Sequence, residues 1–255
     1  MNPSTRSAKA HPKLKQGTTL IELIIAMAIT AIILSLVGGY LAQTADNNKR
    51  NQITSEVQDR VRYVMQVLTQ DLTQVGSSRY ATSDNDNNAL LEATCPIEEC
   101  LKFETTWNGY KRLQIKYVSS LSTSASVACH QVRFRLSLGD NLRRNDIADD
   151  NCDTALTDAD WVGDYLARNI MDIDIQFYCS NGRIVGSYPN VECPADGTAY
   201  PRSAMLTVVG RSEKTVPGTP SKKYTTVKGN TVACPEDYVC FALSQEVQMP
   251  NLKDR

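Results

Sequence analysis

Between residues 18 and 42 this chain of 255 residues carries a single charge, Glu22. The stretch 23–37 is apolar apart from Thr30 and Ser35, whose hydroxyls a helix satisfies against its own carbonyls. With Leu20 and Ile21 added, the run is just long enough to cross a bilayer core about 30 Å thick. The residues ahead of it include Arg6, Lys9, Lys13 and Lys15 and no acid. A basic flank of this kind keeps the N-terminus cytoplasmic and predicts that the chain beyond residue 42 is translocated. The mean hydropathy of −0.32 excludes a multi-span protein. With 42% hydrophobic and 22% charged residues, the balance also excludes wholesale disorder.

Two ordinary explanations fit this segment poorly. A cleaved signal peptide needs small residues just before its cut, and Gly38-Gly39-Tyr40-Leu41-Ala42-Gln43 offers no A-x-A. No cysteine follows for lipid attachment. A plain uncleaved anchor leaves Glu22 unexplained. A carboxylate within a membrane helix costs roughly 2.5–3.5 kcal/mol on insertion scales, and such residues usually have a partner and a role. The bland alternative places Glu22 in the headgroup layer near the helix start.

Gly17 followed by Thr18-Thr19-Leu20-Ile21-Glu22-Leu23 and an apolar helix resembles the processing site of type IV pilins and their relatives. That resemblance implies cleavage by a prepilin peptidase after Gly17, N-methylation of the new terminus at Thr18, and a Glu at the fifth mature position. The family usually has Phe where Thr18 stands. It also implies that these helices pack side by side in a filament core, where the Glu22 carboxylate pairs with a neighbouring subunit's terminal amine. In a low dielectric such a pair fixes register, because a mismatch leaves a buried charge unpaired. Cleavage removes four cations, so the formal charge goes from −1 to −5.

Beyond the apolar run, Ile53, Val57, Val61, Val64, Met65, Leu68, Leu72 and Val75 recur at steps of three and four, the mark of an amphipathic helix. Gly76-Ser77-Ser78 is its stop signal. Gly38-Gly39 is a weak point, so the periodicity is compatible with two helices joined by a hinge or with one long helix. Downstream the period falls to two. Leu113, Ile115 and Tyr117, then Val132, Phe134, Leu136 and Leu138, then Met171, Ile173, Ile175 and Phe177 alternate with polar residues and predict half-buried strands. Residues 205–209 and 239–243 read as two more. One-sided burial favours antiparallel pairing, and a helix followed by strands gives an α+β domain. Residues 173–178 with the Asn181-Gly182 turn, and residues 204–212 ending in Arg211-Ser212, resemble strands of PilW-type minor pilins, with J-type minor pseudopilins of type II secretion as close kin.

The eight cysteines, Cys95, Cys100, Cys129, Cys152, Cys179, Cys193, Cys234 and Cys240, all lie on the translocated side. Their even number predicts disulfides. Sequence leaves the connectivity open; the simplest pairing joins neighbours, 95–100, 129–152, 179–193 and 234–240. Zinc is the weaker reading, because Cys95-x4-Cys100 and Cys234-x5-Cys240 are loose spacings without a nearby His, and periplasmic thiols tend to oxidise. Asp84-Asn85-Asp86-Asn87-Asn88 and the acidic stretch 140–160, with Asp146, Asp149, Asp150, Asp153 and Asp158, carry oxygen ligands of the kind calcium takes. The preferred reading is solvated polar loops with no cofactor. His130 beside Cys129 suggests a thiol nucleophile, but a half-cystine fits an oxidising compartment better. No phosphate-binding Gly loop and no G-x-S-x-G occur, so the chain reads as no enzyme. Its balanced charge gives no electrostatic footprint for nucleic acid.

The expected organisation is a leader at 1–17, a membrane-spanning and filament-core helix at 18–42, an amphipathic helix at 43–76, and a disulfide-containing β-rich domain at 77–255. The fold class is α+β and pilin-like, with the long N-terminal helix packed against antiparallel sheet. By resemblance the function is that of a minor pilin of a type IV pilus, starting in the bacterial inner membrane. Its partners would be other minor pilins, the major pilin, the prepilin peptidase and the assembly platform. The alternatives are a type II secretion pseudopilin and a single-span periplasmic binding or adhesin module.

Overall fold

The computed structural model describes residues 19–76, 100–106, 109–118, 129–149, 163–186, 193 and 199–252. Its one long element, α1 (Leu20–Gln74), is unbroken through Gly38-Gly39. Neither glycine has a neighbour that a Cβ would meet. The helix divides between two compact units, residues 1–49 and 50–255. In the first unit the apolar side chains from Leu20 to Leu41 stand uncovered. In the second, Val57, Val61, Val64, Met65, Leu68, Leu72 and Val75 are each no more than 1% exposed. This is the three-and-four stripe of the sequence, buried as a helix must bury it. The helix stops where Gly76 turns into the left-handed region at φ 70°. Asn251 closes the end by donating to the Thr73 carbonyl at 2.9 Å.

Around this helix the described strands form three antiparallel sheets. The first runs in sequence order: β1 (Leu101–Thr105), β2 (Lys111–Val118), β3 (Cys129–Leu136), β4 (Asn141–Asp149) and β5 (Asp164–Arg168). The second comprises β6 (Ile170–Cys179), β7 (Ile184–Val185), β8 (Pro201–Arg211) and β11 (Cys240–Gln248), in the order β11-β8-β6-β7. A separate hairpin joins β9 (Lys222–Thr225) to β10 (Thr231–Cys234). The alternating residues named from sequence point inward: Leu113, Ile115, Val132, Phe134, Ile173, Ile175 and Phe177 share one core with the helix stripe.

Two expectations change. Leu138 does not continue its strand, because β3 ends at Leu136 and Leu138 is 73% exposed in the following turn. There Asp140 takes a left-handed φ of 56° and donates its N–H to the Ser137 carbonyl, so the apolar alternation outlasts the ladder. The stretch 140–160 is also not all loop, because Asn141–Asp149 forms β4. Its charged residues hid a strand whose inward Leu142 is 1% exposed.

At Gly210 on β8 the second sheet packs directly against the helix. A Cβ there would lie 2.6 Å from Val61 Cγ2. Gly210→Ala is therefore expected to destabilise the domain by about 1–3 kcal/mol through overpacking. Gly229→Ala, at a turn glycine with open space around it but φ 80°, serves as the backbone-strain control. Urea unfolding of the two variants against the parent checks this, with a midpoint unchanged by Gly210→Ala as the contrary outcome.

A polar clasp holds the sheets together. Asp172 and Asp174 on β6 face Lys111 of β2, at 2.6 and 3.8 Å. Asp174, 1% exposed, also takes Lys228 at 3.2 Å and the Thr226 hydroxyl at 2.5 Å from the hairpin turn. Burial raises the Asp172 carboxyl above its ordinary range against the pull of Lys111. Burial likewise depresses the Lys228 ammonium, with Asp174 opposing.

Candidate assembly site

Gly17 and Thr18, the expected processing junction, lie outside the described residues. Directly after them Thr19 and Glu22 form a reciprocal cap. The Thr19 N–H donates to Glu22 Oε2 at 2.9 Å and the Thr19 hydroxyl to the same oxygen at 3.0 Å. The Glu22 N–H points back to Thr19 Oγ1 at 3.4 Å. This is the T-x-x-E capping box, legible in the sequence at residues 19–22 yet not among the roles assigned there to Glu22. The cap folds the carboxylate toward the helix start, the side on which a terminus at Thr18 would lie. Farther along, the Thr30 hydroxyl donates to the Ala26 carbonyl at 2.7 Å, which removes one polar group from an otherwise apolar surface. Leu20, Ile21, Leu23, Ile24, Ile25 and Met27 are all more than half exposed. A patch of this extent on a single helix calls for lipid or another helix.

The second unit carries the cysteines. Cys179–Cys193 joins the end of β6 to a downstream segment, with Cα atoms 5.6 Å apart. Cys234–Cys240 ties the hairpin to β11, with Cα atoms 6.1 Å apart. Cys100 and Cys129 are also half-cystines; Cys95 and Cys152 lie outside the described residues. His130 therefore has no neighbouring thiol. Its Nδ1 lies 3.0 Å from Asp146 Oδ1, and its ring stacks on Tyr117 with centroids 5.2 Å apart.

That histidine stands at the end of a charged chain running inward. Arg144 bridges Asp146 at 3.2 Å and grips Asp71 of α1 with two bonds, at 3.0 and 3.2 Å. Asp71 is 3% exposed. Burial raises its carboxyl above the ordinary range although Arg144 pulls the other way. The Tyr117 hydroxyl is pushed up to about 12, by burial first and then by the Asp146 and Asp71 carboxylates. Nothing in the sequence pattern singles out Asp71, which falls within the apolar stripe beside Leu72. Asp146 is thus engaged by a cation and an imidazole rather than by other acids. Among the described residues no group of three or more His, Cys, Asp or Glu is placed to hold a metal ion. Asp84 to Asn88, Asp150, Asp153 and Asp158 lie outside them.

A basic N-terminal sequence, a capped apolar helix and an α+β domain built on that helix's second half define a prepilin-type subunit. The prokaryotic N-terminal methylation motif matches residues 12–38. Pilin-like protein PilA3 of Thermus thermophilus is 39% identical over 241 residues, covering 94% of this chain and 98% of that protein. A solved type IV-like pilin from Thermus thermophilus aligns over 77% of this chain and 97% of its own, with 14% identity and a TM-score of 0.47. The chain belongs to the type IV pilin-like family.

Proposed function

We propose that this chain is a minor pilin of a type IV pilus. It is made as a precursor in the inner membrane with its N-terminus cytoplasmic, cut by the prepilin peptidase between Gly17 and Thr18, and methylated on Thr18. The apolar half of α1 then moves from lipid into the filament core, and Glu22 meets the terminal amine of a neighbouring subunit. The disulfide-held domain is periplasmic first and surface-exposed later. With other minor pilins it primes assembly on the inner-membrane platform, ahead of the major pilin, and stays near the tip. The role is structural, without catalysis or a cofactor.

The observation that carries this reading is the uncovered apolar helix opening on the Thr19–Glu22 cap, within the methylation motif at residues 12–38. The disulfides support an oxidising compartment for the domain. N-terminal sequencing of the protein recovered from membranes is expected to begin at Thr18. A start at Met1 would remove the filament reading in favour of a single-span module. Deletion of the gene is expected to abolish pili and leave protein secretion intact; the reverse outcome would assign the chain to a secretion system.

A further inference from the structure

Where the turn of the β9–β10 hairpin meets β6, a lysine and an aspartate are held together out of water. Asp174 on β6 is 1% exposed, and its two carboxyl oxygens have different surroundings. Oδ2 accepts from the Thr226 hydroxyl at 2.5 Å, and the Asn230 amide stands 3.5 Å away, at the outer limit of a bond. Oδ1 accepts no hydrogen bond among the described residues, yet Lys228 Nζ lies 3.2 Å from it. The amine is therefore within ion-pair range but off the hydrogen-bonding directions. Lys111 differs: its Nζ is 3.8 Å from the same oxygen and is bonded at 2.6 Å to Asp172 Oδ1, an ordinary salt bridge. Lys228 is confined along its length. A Cβ on Gly186 would come within 3.3 Å of its Cε, and its Nζ lies 4.5 Å from the centre of the buried Phe103 ring.

Two charges taken out of water are costly, and their attraction offsets that only when the geometry is good. Here it is incomplete, and burial depresses the Lys228 ammonium, which favours the free amine. Condensing the two groups to an amide would remove both charges from the interior and leave Lys111 and Asp172 as a matched pair. We propose that Lys228 and Asp174 join in an intramolecular isopeptide bond formed by the chain itself. The step balances within the pair. One proton passes from Lys228 Nζ to Asp174 Oδ1, giving an amine and a carboxylic acid. Nζ then attacks Cγ and a C–N bond forms. Thr226 and Asn230 hold the charge that develops on Oδ2, as donors in an oxyanion hole do. A second proton passes from Nζ to Oδ1, the Cγ–Oδ1 bond breaks, and one water leaves. Lys111, backed by Asp172, is the relay for that proton. Well-oriented neighbours react as if at about 10⁵–10⁸ M, and exclusion of water opposes the reverse hydrolysis. The hairpin forms its own two-stranded sheet. Cys234–Cys240 fastens its strand end to β11, and the isopeptide bond fastens its turn to β6 with a link that survives reductant.

The test is a peptide map of the full chain taken from membranes, reduced, alkylated and digested with trypsin. Trypsin does not cut after an acylated lysine. Residues 224–253 are therefore expected as one peptide joined to residues 169–183, lighter than their sum by one water. Tandem spectra should place the branch at Asp174 and Lys228. On a denaturing gel the reduced parent should run ahead of Lys228→Arg and Asp174→Ala, whose chains lack the closed loop, and neither variant should yield the branched peptide. Thr226→Val, which removes a donor from Oδ2, should slow the appearance of the branch after a pulse of synthesis by about 100-fold. Recovery of an unlinked peptide 224–228 at the stoichiometry of the other fragments overturns the proposal, as does a branch at Lys111 or Asp172. The parent map decides this by itself, so a variant that misfolds does not affect the conclusion. The readout is covalent chemistry within one chain and stands apart from the pilus reading, which the N-terminal sequence and pilation decide.

Discussion

Cells carrying Glu22→Ala are expected to insert and process the protein normally yet incorporate it poorly into filaments. Removing a charge from an apolar helix favours insertion, and by family resemblance the peptidase depends mainly on Gly17. Assembly is different. In a helix bundle without water, a terminal amine that loses its counter-charge is left unpaired, at a cost of several kcal/mol. Recovery in the sheared filament fraction should fall at least about tenfold, because each 1.4 kcal/mol is a factor of ten. The Thr19–Glu22 cap supplies a second reason for needing Glu22, so the alanine variant alone is ambiguous. Glu22→Gln separates the two roles: its amide oxygen can still accept from the Thr19 N–H and hydroxyl, but it carries no charge for an amine. The pairing account expects Gln to fail like Ala. Full recovery with Gln would reduce Glu22 to a helix cap. A subunit that starts the filament has no neighbour above it, so pilus number must be scored together with recovery, at matched expression.

The second large effect is expected inside the domain. Arg144→Met should destabilise it by about 3 kcal/mol, toward the lower end for a broken buried pair because Arg144 is 27% exposed. What remains is the Asp71 carboxylate, 3% exposed on α1, with its guanidinium gone. The pH dependence gives the mechanism. Asp71 has a folded pKa raised by burial even with Arg144 present, so the folded state holds its proton more tightly than the unfolded chain. Its contribution to stability is greatest on the acid side and is lost as pH rises from the unfolded value, about 3.9, through the folded one. Without Arg144 the folded value rises further. The deficit of Arg144→Met should therefore be large near neutrality and shrink on acidification. Asp71→Leu combined with Arg144→Met should recover much of the loss, since neither charge is then buried alone. Urea midpoints of the parent, the Arg144→Met variant and the double variant at neutral and mildly acidic pH decide the matter. A deficit independent of pH would mean that lost packing, not the stranded carboxylate, is responsible.

The sequence determined whatever depends on near neighbours. The 23–37 run reads as a membrane or helix-core segment, because only Thr30 and Ser35 in it are polar and a helix satisfies their hydroxyls internally. The stripe from Val57 to Val75 repeats at the helical period, and each of its members is buried. Strands with one apolar face, such as β6 with Ile173, Ile175 and Phe177, announced both their period and their inner side. Features that depend on which strands meet were silent. The segment Asn141–Asp149 reads as an acidic loop, since only pairing with β3 and β5 makes it β4. The division of the strands into two sheets and a hairpin follows from contacts across long stretches of chain, which no local period encodes. Asp71 looked like an ordinary polar residue on the helix until Arg144, 73 positions later, closed on it. Gly210 carried no signal either; its need for a bare backbone comes from Val61 packing against it.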